Sequence, residues 1–406
     1  MRSGAVSGRS AGVRQTRIGE LFLNVGHALD HLFLLIFPTV VLVLAPEFGR
    51  PYGEMLGLAL GGFVAFGAGS LPAGWLADRW SRHGMMVVFF VGVGAASILT
   101  GLATEPWHIA VGLTLVGAFA SIYHPVGIAM LVAGRDKVGR VLGVNGVAGN
   151  LGVASAALVA GALAHWWGWR AAFIVPGAAA IAIGIAFARL VPAPPRLGPG
   201  TRRPAAARPA RGVLARVFGI LAVATVCGGV IFNATTIAMP KVFDERLAAI
   251  TDTTLGIGVL VSLVYAFAAL AQLVVGHFLD RGTIRQVFVP VVALQVPLLA
   301  LAGVADNYAM LAVAFGMMFV VFGQVPINDA MVAAYTDEEW RSRVFALRYV
   351  VSFGASAAAV PLVAWAHRTS GDFQHLFVVL AALAAVMFAA AVLMPGEVKT
   401  EKAVAA

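Results

Sequence analysis

Apolar positions along this chain run in long blocks rather than alternating or recurring on one helical face, and short polar segments separate the blocks. A bilayer core is crossed by a helix of ~20 mostly apolar residues, and twelve stretches meet that length: 20–44, 54–75, 84–103, 107–133, 141–164, 170–192, 213–238, 254–279, 285–304, 307–334, 343–366 and 373–394. Most carry scattered Gly, Ala and Pro, and small residues of this kind let helices approach closely in lipid. The pattern predicts an all-α membrane protein.

The blocks fall into two related sets. Gly74-Trp75-Leu76-Ala77-Asp78-Arg79 returns about 200 residues later as Gly276-His277-Phe278-Leu279-Asp280-Arg281, each copy closing an apolar run. Tyr123-His124-Pro125 corresponds at nearly the same offset to Gln324-Val325-Pro326, and Arg140-Val141-Leu142 to Arg343-Val344-Phe345. Three matches in the same order imply two pseudo-symmetric six-helix bundles, at 18–192 and 213–395. Between them, residues 193–212 are rich in Pro and Arg, a composition that buries no core and behaves as a tether. Residues 1–17 and 396–406 remain as tails.

Composition sharpens the class. Hydrophobic residues make up 60% of the chain and charged ones 12%, against roughly 25% charged in soluble domains. The +9 net charge would suggest nucleic acid in a soluble protein, but here it is laid out by topology. With both termini cytoplasmic, 22 of the 28 Lys and Arg residues fall on the cytoplasmic side, which is the asymmetry that orients membrane proteins. Arg50, Arg170, Lys241, Arg246 and Arg368 lie opposite, and Arg348 is the one cation deep within a span. Anionic lipid headgroups are the expected partner of the basic face, in a bacterial-type inner membrane. The lone Cys227 excludes an intramolecular disulfide. Residues 1–17 have arginines but no apolar core or cleavage pattern of a removable signal.

Ionisable groups inside a span are costly in lipid and face a protein interior or an aqueous cavity. The first span holds Asn24, His27, Asp30 and His31 within an arc of roughly 120°. Two roles fit that face: a structural polar network, or a site in which His27 and His31 meet substrate while Asp30 and His31 carry a coupling proton. The i, i+4 spacing of His27 and His31 also suits a metal ion, but no Cys or third clear ligand accompanies them in sequence, and no metal is assigned. Arg348, aligned with Asn145 of the first half, offers a planar fork for carboxylate or phosphate; it either reads an anionic substrate group or pairs with Asp329 or Asp30. Prolines at 125 and 326 mark matched helix breaks, a pointer to a transport pathway. The chain has no Walker loop, no Cys pair at zinc spacing and no helical His-Glu-x-x-His. Neither an enzyme nor a cofactor is expected.

Two parallel six-helix halves joined by a basic loop resemble the major facilitator superfamily. Gly74-x-x-x-Asp78-Arg79-x-x-Arg82 looks like that family's signature loop, and Trp169-Arg170-Ala171-Ala172-Phe173 is another of its familiar features. His27-x-x-Asp30, Phe37-Pro38 and Tyr123-His124-Pro125 resemble, more narrowly, the fosmidomycin-resistance branch. The resemblance implies a monomeric secondary active transporter working by alternating access, its substrate bound by His27, His31, Tyr123, His124, Asn145, Asn233, Gln324, Asn328 and Arg348. Gating would involve Gly74, Asp78, Arg79 and Arg82, with Asp280 and Arg281 in the second copy. Proton-coupled efflux of a small anionic or amphiphilic solute is the first expectation. Import of a vitamin-like metabolite or metal ion is the alternative, and a membrane sensor that transports nothing is the competing class.

Overall fold

A computed structural model describes residues 4–133, 139–193, 211–336 and 338–396, and every regular element among them is an α-helix. In order these are α1 (Gly4–Glu47), α2 (Tyr52–Gly57), α3 (Leu60–Arg79), α4 (Arg82–Gly101), α5 (Pro106–Ala120), α6 (Tyr123–Val132), α7 (Gly139–Trp167), α8 (Trp169–Leu190), α9 (Arg211–Arg246), α10 (Thr254–Leu279), α11 (Ile284–Ala302), α12 (Asn307–Gly323), α13 (Val325–Tyr335), α14 (Glu338–Ser370) and α15 (Gln374–Val392). Twelve stretches among the described residues are long and apolar enough to cross a membrane, and each overlaps one of the twelve expected blocks. Where a block ends, capping chemistry sets the turn. Ser81 accepts from the Gly84 amide at 3.0 Å to start α4, Thr253 does the same for Gly256 at 3.0 Å in α10, and Thr283 and Gln286 form a reciprocal capping box on α11. Such side chains satisfy amides that the first helical turn leaves without partners.

The chain separates into two compact units, residues 1–48 with 58–198 and residues 49–57 with 199–406. The second therefore includes a short piece that precedes it in sequence. Residues 4–17, read from sequence as a tail, continue α1 as helix. Most of the expected linker, residues 194–210, and the expected tail residues 397–406 lie outside the described residues.

In the first unit the helices touch through glycine. A Cβ on Gly94 of α4 would come 2.5 Å from the Gly177 carbonyl oxygen of α8, and one on Gly177 would come 2.7 Å from that of Gly94. α3 and α5 meet in the same way, backbone against backbone, at Gly62 and Gly117. Close approach of this kind maximises dispersion contact where lipid offers no hydrophobic drive for helix pairing. The end of α1 is tied down by Glu47, which accepts from Trp169 Nε1 at 2.9 Å and lies 3.4 Å from Arg170 Nη1. Arg170 also stacks over the Trp169 ring at 4.3 Å and donates to the Ala103 carbonyl at 3.2 Å. The Trp169-Arg170 pair thus fastens the ends of α1, α4 and α8 together.

In the second unit Arg246, at the end of α9, donates to the carbonyls of Ala302, Gly303 and Ala305 at 2.6, 3.1 and 3.3 Å. A cation placed on the exposed carbonyls of a helix C-terminus is favourable. Tyr52 of α2 is buried against the rings of His367 and Phe373, with centroids 5.0 and 6.4 Å away, so residues 49–57 pack with this unit.

Both expected proline breaks are present. The fourth span splits between α5 and α6 around Ser121 and Ile122, and the tenth between α12 and α13 at Gln324. Pro125 and Pro326 fall in the first turn after each break, where a residue without an amide proton costs no helical hydrogen bond.

Candidate functional site

In the first unit the polar arc of α1 meets α6 and α7. Asn145 of α7, 2% exposed, donates through Nδ2 to Tyr123 Oη at 2.8 Å and to Asn24 Oδ1 at 3.0 Å. Tyr123 Oη in turn donates to the Leu23 carbonyl at 2.8 Å. The Asn145 carbonyl accepts from His27 Nδ1 at 2.7 Å, and the His27 ring stacks on Tyr123 with centroids 4.9 Å apart and planes 16° from parallel. Gly149 lets α7 pass this ring, since a Cβ there would lie 2.6 Å from His27 Cε1.

Asp30, 0% exposed, sits one turn further along α1 with Oδ2 3.3 Å from His124 Nε2. Among the described residues neither of its carboxylate oxygens accepts a hydrogen bond. His31 faces the same space, and one ring nitrogen each of His27, His31 and His124 lies within 4.8 Å of the other two. The break before α6 matters here. It starts a new helix at Tyr123, so that Tyr123 and His124, consecutive in sequence, both reach α1.

The second unit is built differently. Gln324, 3% exposed at the α12–α13 break, donates to the Ala224 carbonyl at 3.2 Å and accepts from Gln295 at 3.1 Å. Arg348 Nη1 lies 2.6 Å from Asp329 Oδ1, with side chains 10% and 43% exposed. Of the pairings open to Arg348 in the sequence, the structure contains the one with Asp329. Among the described residues the Asn328 amide oxygen is buried without a hydrogen-bond partner. Asn233 donates to the Gly229 carbonyl of its own helix at 2.8 Å, so its amide is engaged locally.

In each of the two matched loops, charged side chains contact residues of the same loop. Arg82 donates to Asp78 Oδ1 through Nε at 3.2 Å and Nη2 at 2.8 Å. Arg79 lies over the Trp75 ring at 4.3 Å, whereas Arg281 Nη1 lies 2.9 Å from His277 Nδ1. Asp280 is the C-cap of α10. A Cβ on Gly74 would lie 3.3 Å from Pro125 Cβ, which sets α3 directly against the break in the fourth span.

Gln295 is the polar residue that the sequence reading did not single out. It is 0% exposed, in α11 between Pro290 and Pro297, and it joins Gln324 to the Val320 carbonyl. A lone amide side chain inside an apolar span was the available signal, since such a group seeks a partner in protein.

Comparison with known proteins places this geometry. The profile described as Major Facilitator Superfamily matches residues 25–254 and 247–406. A Na(+), Li(+), K(+)/H(+) antiporter of Planococcus maritimus is 34% identical over 119 residues, 28% of this chain and 26% of that protein. The puromycin resistance protein pur8 of Streptomyces alboniger is 30% identical over 142 residues, 34% of this chain and 28% of that protein. The chain thus spans roughly a quarter of the length of each of these relatives. In fold it is similar to the crystal structure of a bacterial homologue of the human lysosomal transporter Spinster, in an inward-facing and occupied conformation. That similarity has a TM-score of 0.72 at 15% identity and covers 92% of this chain and 93% of that one.

Proposed function

The chain belongs to the major facilitator superfamily, and on that premise we propose that it is a secondary active transporter, not an enzyme, that exports a small organic anion by alternating access. The observation that carries the reading is the Arg348–Asp329 pair. A guanidinium 10% exposed is held at 2.6 Å by a carboxylate that is 43% exposed. The open partner is the one a solute carboxylate or phosphate can displace, and the planar fork of Arg then binds that group at two points. Breaking a buried pair without replacing it is costly, so exchange of one anion for another is the low-energy route.

Export is favoured by the similarity to a puromycin resistance protein and by the resemblance of the His27-x-x-Asp30 and Tyr123-His124-Pro125 motifs to the fosmidomycin-resistance branch. A proton gradient as the driving force is suggested by the antiporter relative's name. We place the chain in the inner membrane as a monomer with both termini cytoplasmic, its basic face on anionic lipid. Gln324 and Asn328 lie on the same span as Asp329.

Everted membrane vesicles energised with a proton gradient test the reading. Addition of a transported anion should dissipate the gradient in vesicles with the parent protein and fail to do so with Arg348→Ala. A panel of anionic metabolites and drugs that never dissipates the gradient, with no counterflow in proteoliposomes, would leave a ligand-binding sensor as the function.

A further inference from the structure

The first unit contains three imidazoles arranged around one point. Their centroids are 5.0 Å apart for His27 and His31, 5.2 Å for His27 and His124, and 5.6 Å for His31 and His124. A tetrahedral ion holding imidazole nitrogens at about 2.0–2.1 Å sets ring centroids about 5 Å apart. The triangle already has that size. Ring rotation is what brings the nitrogens from within 4.8 Å of one another to the roughly 3.3 Å that the same tetrahedron requires.

The hydrogen bonds around the rings point the same way. A carbonyl oxygen only accepts, so the 2.7 Å contact between His27 Nδ1 and the Asn145 carbonyl puts the ring hydrogen on Nδ1 and the lone pair on Nε2. That Nε2 is buried and, among the described residues, has no hydrogen-bond partner. His124 has the Asp30 carboxylate 3.3 Å from its Nε2. One histidine backed by a backbone carbonyl and another by a carboxylate is the arrangement that fixes tautomer and ring direction in metal sites. Among the described residues His27 Nε2 and both Asp30 oxygens are buried without a hydrogen-bond partner, Asp30 Oδ2 having only its 3.3 Å ion-pair contact with His124, and buried polar groups of that kind call for a ligand. A carboxylate among them selects a positive charge.

We propose that His27, His31 and His124 bind one divalent transition-metal ion of the zinc class, with Asp30 behind His124, clipping α1 to α6. Three imidazole donors suit Zn²⁺, Co²⁺ or Ni²⁺ and not the hard ions Mg²⁺ and Ca²⁺, which take oxygen ligands. Three protein donors also leave the fourth position of a tetrahedral ion for water or an exogenous donor. The site lies within one unit and does not depend on the transport reading.

The test uses full-length protein purified in detergent with a tag that contains no histidine, stripped with chelator and titrated with Co²⁺. The expected result is one equivalent bound with the intense visible absorption of tetrahedral cobalt, displaced by Zn²⁺ and unaffected by Mg²⁺. His31→Ala and His124→Ala should each abolish that spectrum, and Asp30→Asn should weaken affinity about 10–100-fold while keeping it. His31 is only partly buried, so His31→Ala keeps its chelated melting temperature and loses only the rise that Zn²⁺ gives the parent. That variant decides the matter if His124→Ala fails to fold. Absence of saturable Co²⁺ binding by the parent, or a tetrahedral spectrum that survives in His31→Ala, overturns the proposal.

Discussion

Asn145→Ala is the most informative single test of how the first unit holds together. The change removes an amide that is 2% exposed and donates two hydrogen bonds, to Tyr123 Oη and Asn24 Oδ1. Side-chain hydrogen bonds inside membrane proteins average ~0.6 kcal/mol by double-mutant cycles, and in soluble proteins they cluster around ~1 kcal/mol. Two bonds therefore account for about 1–2 kcal/mol. At ~2–4 °C per kcal/mol for a unit of this size, the melting temperature should fall by about 2–8 °C.

The bond to Tyr123 can be isolated. Tyr123→Phe keeps the ring that stacks on His27 and removes the hydroxyl. The double variant then loses the shared bond once rather than twice, so the two single effects should exceed the combined one by about 0.6–1 kcal/mol. Unfolding in mixed micelles titrated with dodecyl sulfate reads all four free energies at equilibrium. Asn233→Ala is the control. Its amide bonds a carbonyl four residues back on its own helix, and it should cost under about 0.5 kcal/mol. Additivity of the two single changes to within ~0.3 kcal/mol, or an Asn145→Ala effect no larger than that of Asn233→Ala, would refute the network.

Asp329→Asn should destabilise the second unit by about 1–2 kcal/mol, less than the full penalty of a sealed pair because the carboxylate is 43% exposed; dodecyl sulfate unfolding measures it, and Asp329→Asn with Arg348→Met should recover most of the loss. Gly94→Leu forces a side chain into the Gly177 backbone and should cost at least about 1–3 kcal/mol, whereas Gly143→Ala, with nothing among the described residues within 4 Å of the new Cβ, should be neutral or stabilising by up to about 1 kcal/mol. Asp78→Asn breaks a pair whose side chains are 41% and 65% exposed, so stability should move by less than about 0.5 kcal/mol; a transport rate in vesicles that falls without a stability change identifies the loop as a gate, and an unchanged rate excludes it.

The twelve spans were readable because bilayer thickness imposes a length on each, independent of which helices later touch. The polar arc of α1 was readable for a similar reason, since helical periodicity alone puts Asn24, His27, Asp30 and His31 on one face. Pairing across elements was not. His124 is separated from His27 by 97 positions in the numbering, and its place as the third imidazole depends on the break that starts α6 at Tyr123 and on α6 meeting that face of α1. The pairing of Arg348 with Asp329, on another helix of the same unit, likewise needed tertiary structure to be seen. The same limit applies to residues 49–57, which chain order assigns to the first bundle and packing assigns to the second unit.

The repeat itself runs deeper than the motif letters. Tyr123 Oη reaches back to the Leu23 carbonyl of α1, and Gln324 Nε2 reaches back to the Ala224 carbonyl of α9, each bond spanning 100 residues. Both donors stand at the break in a split helix, and both acceptors lie on the opening helix of their unit. The tie is the same, although one half makes it with a phenol and the other with an amide. What supports the donor differs. In the first unit Asn145 of α7 donates into the Tyr123 hydroxyl, whereas in the second that support comes from Gln295 of α11. The position matching Asn145 is thereby relieved of holding the break, and it is Arg348, turned instead to Asp329. The polar chemistry of the halves differs accordingly: a hydrogen-bonded amide and phenol beside three imidazoles in one, and a partly exposed charge pair in the other, on a common backbone fastening.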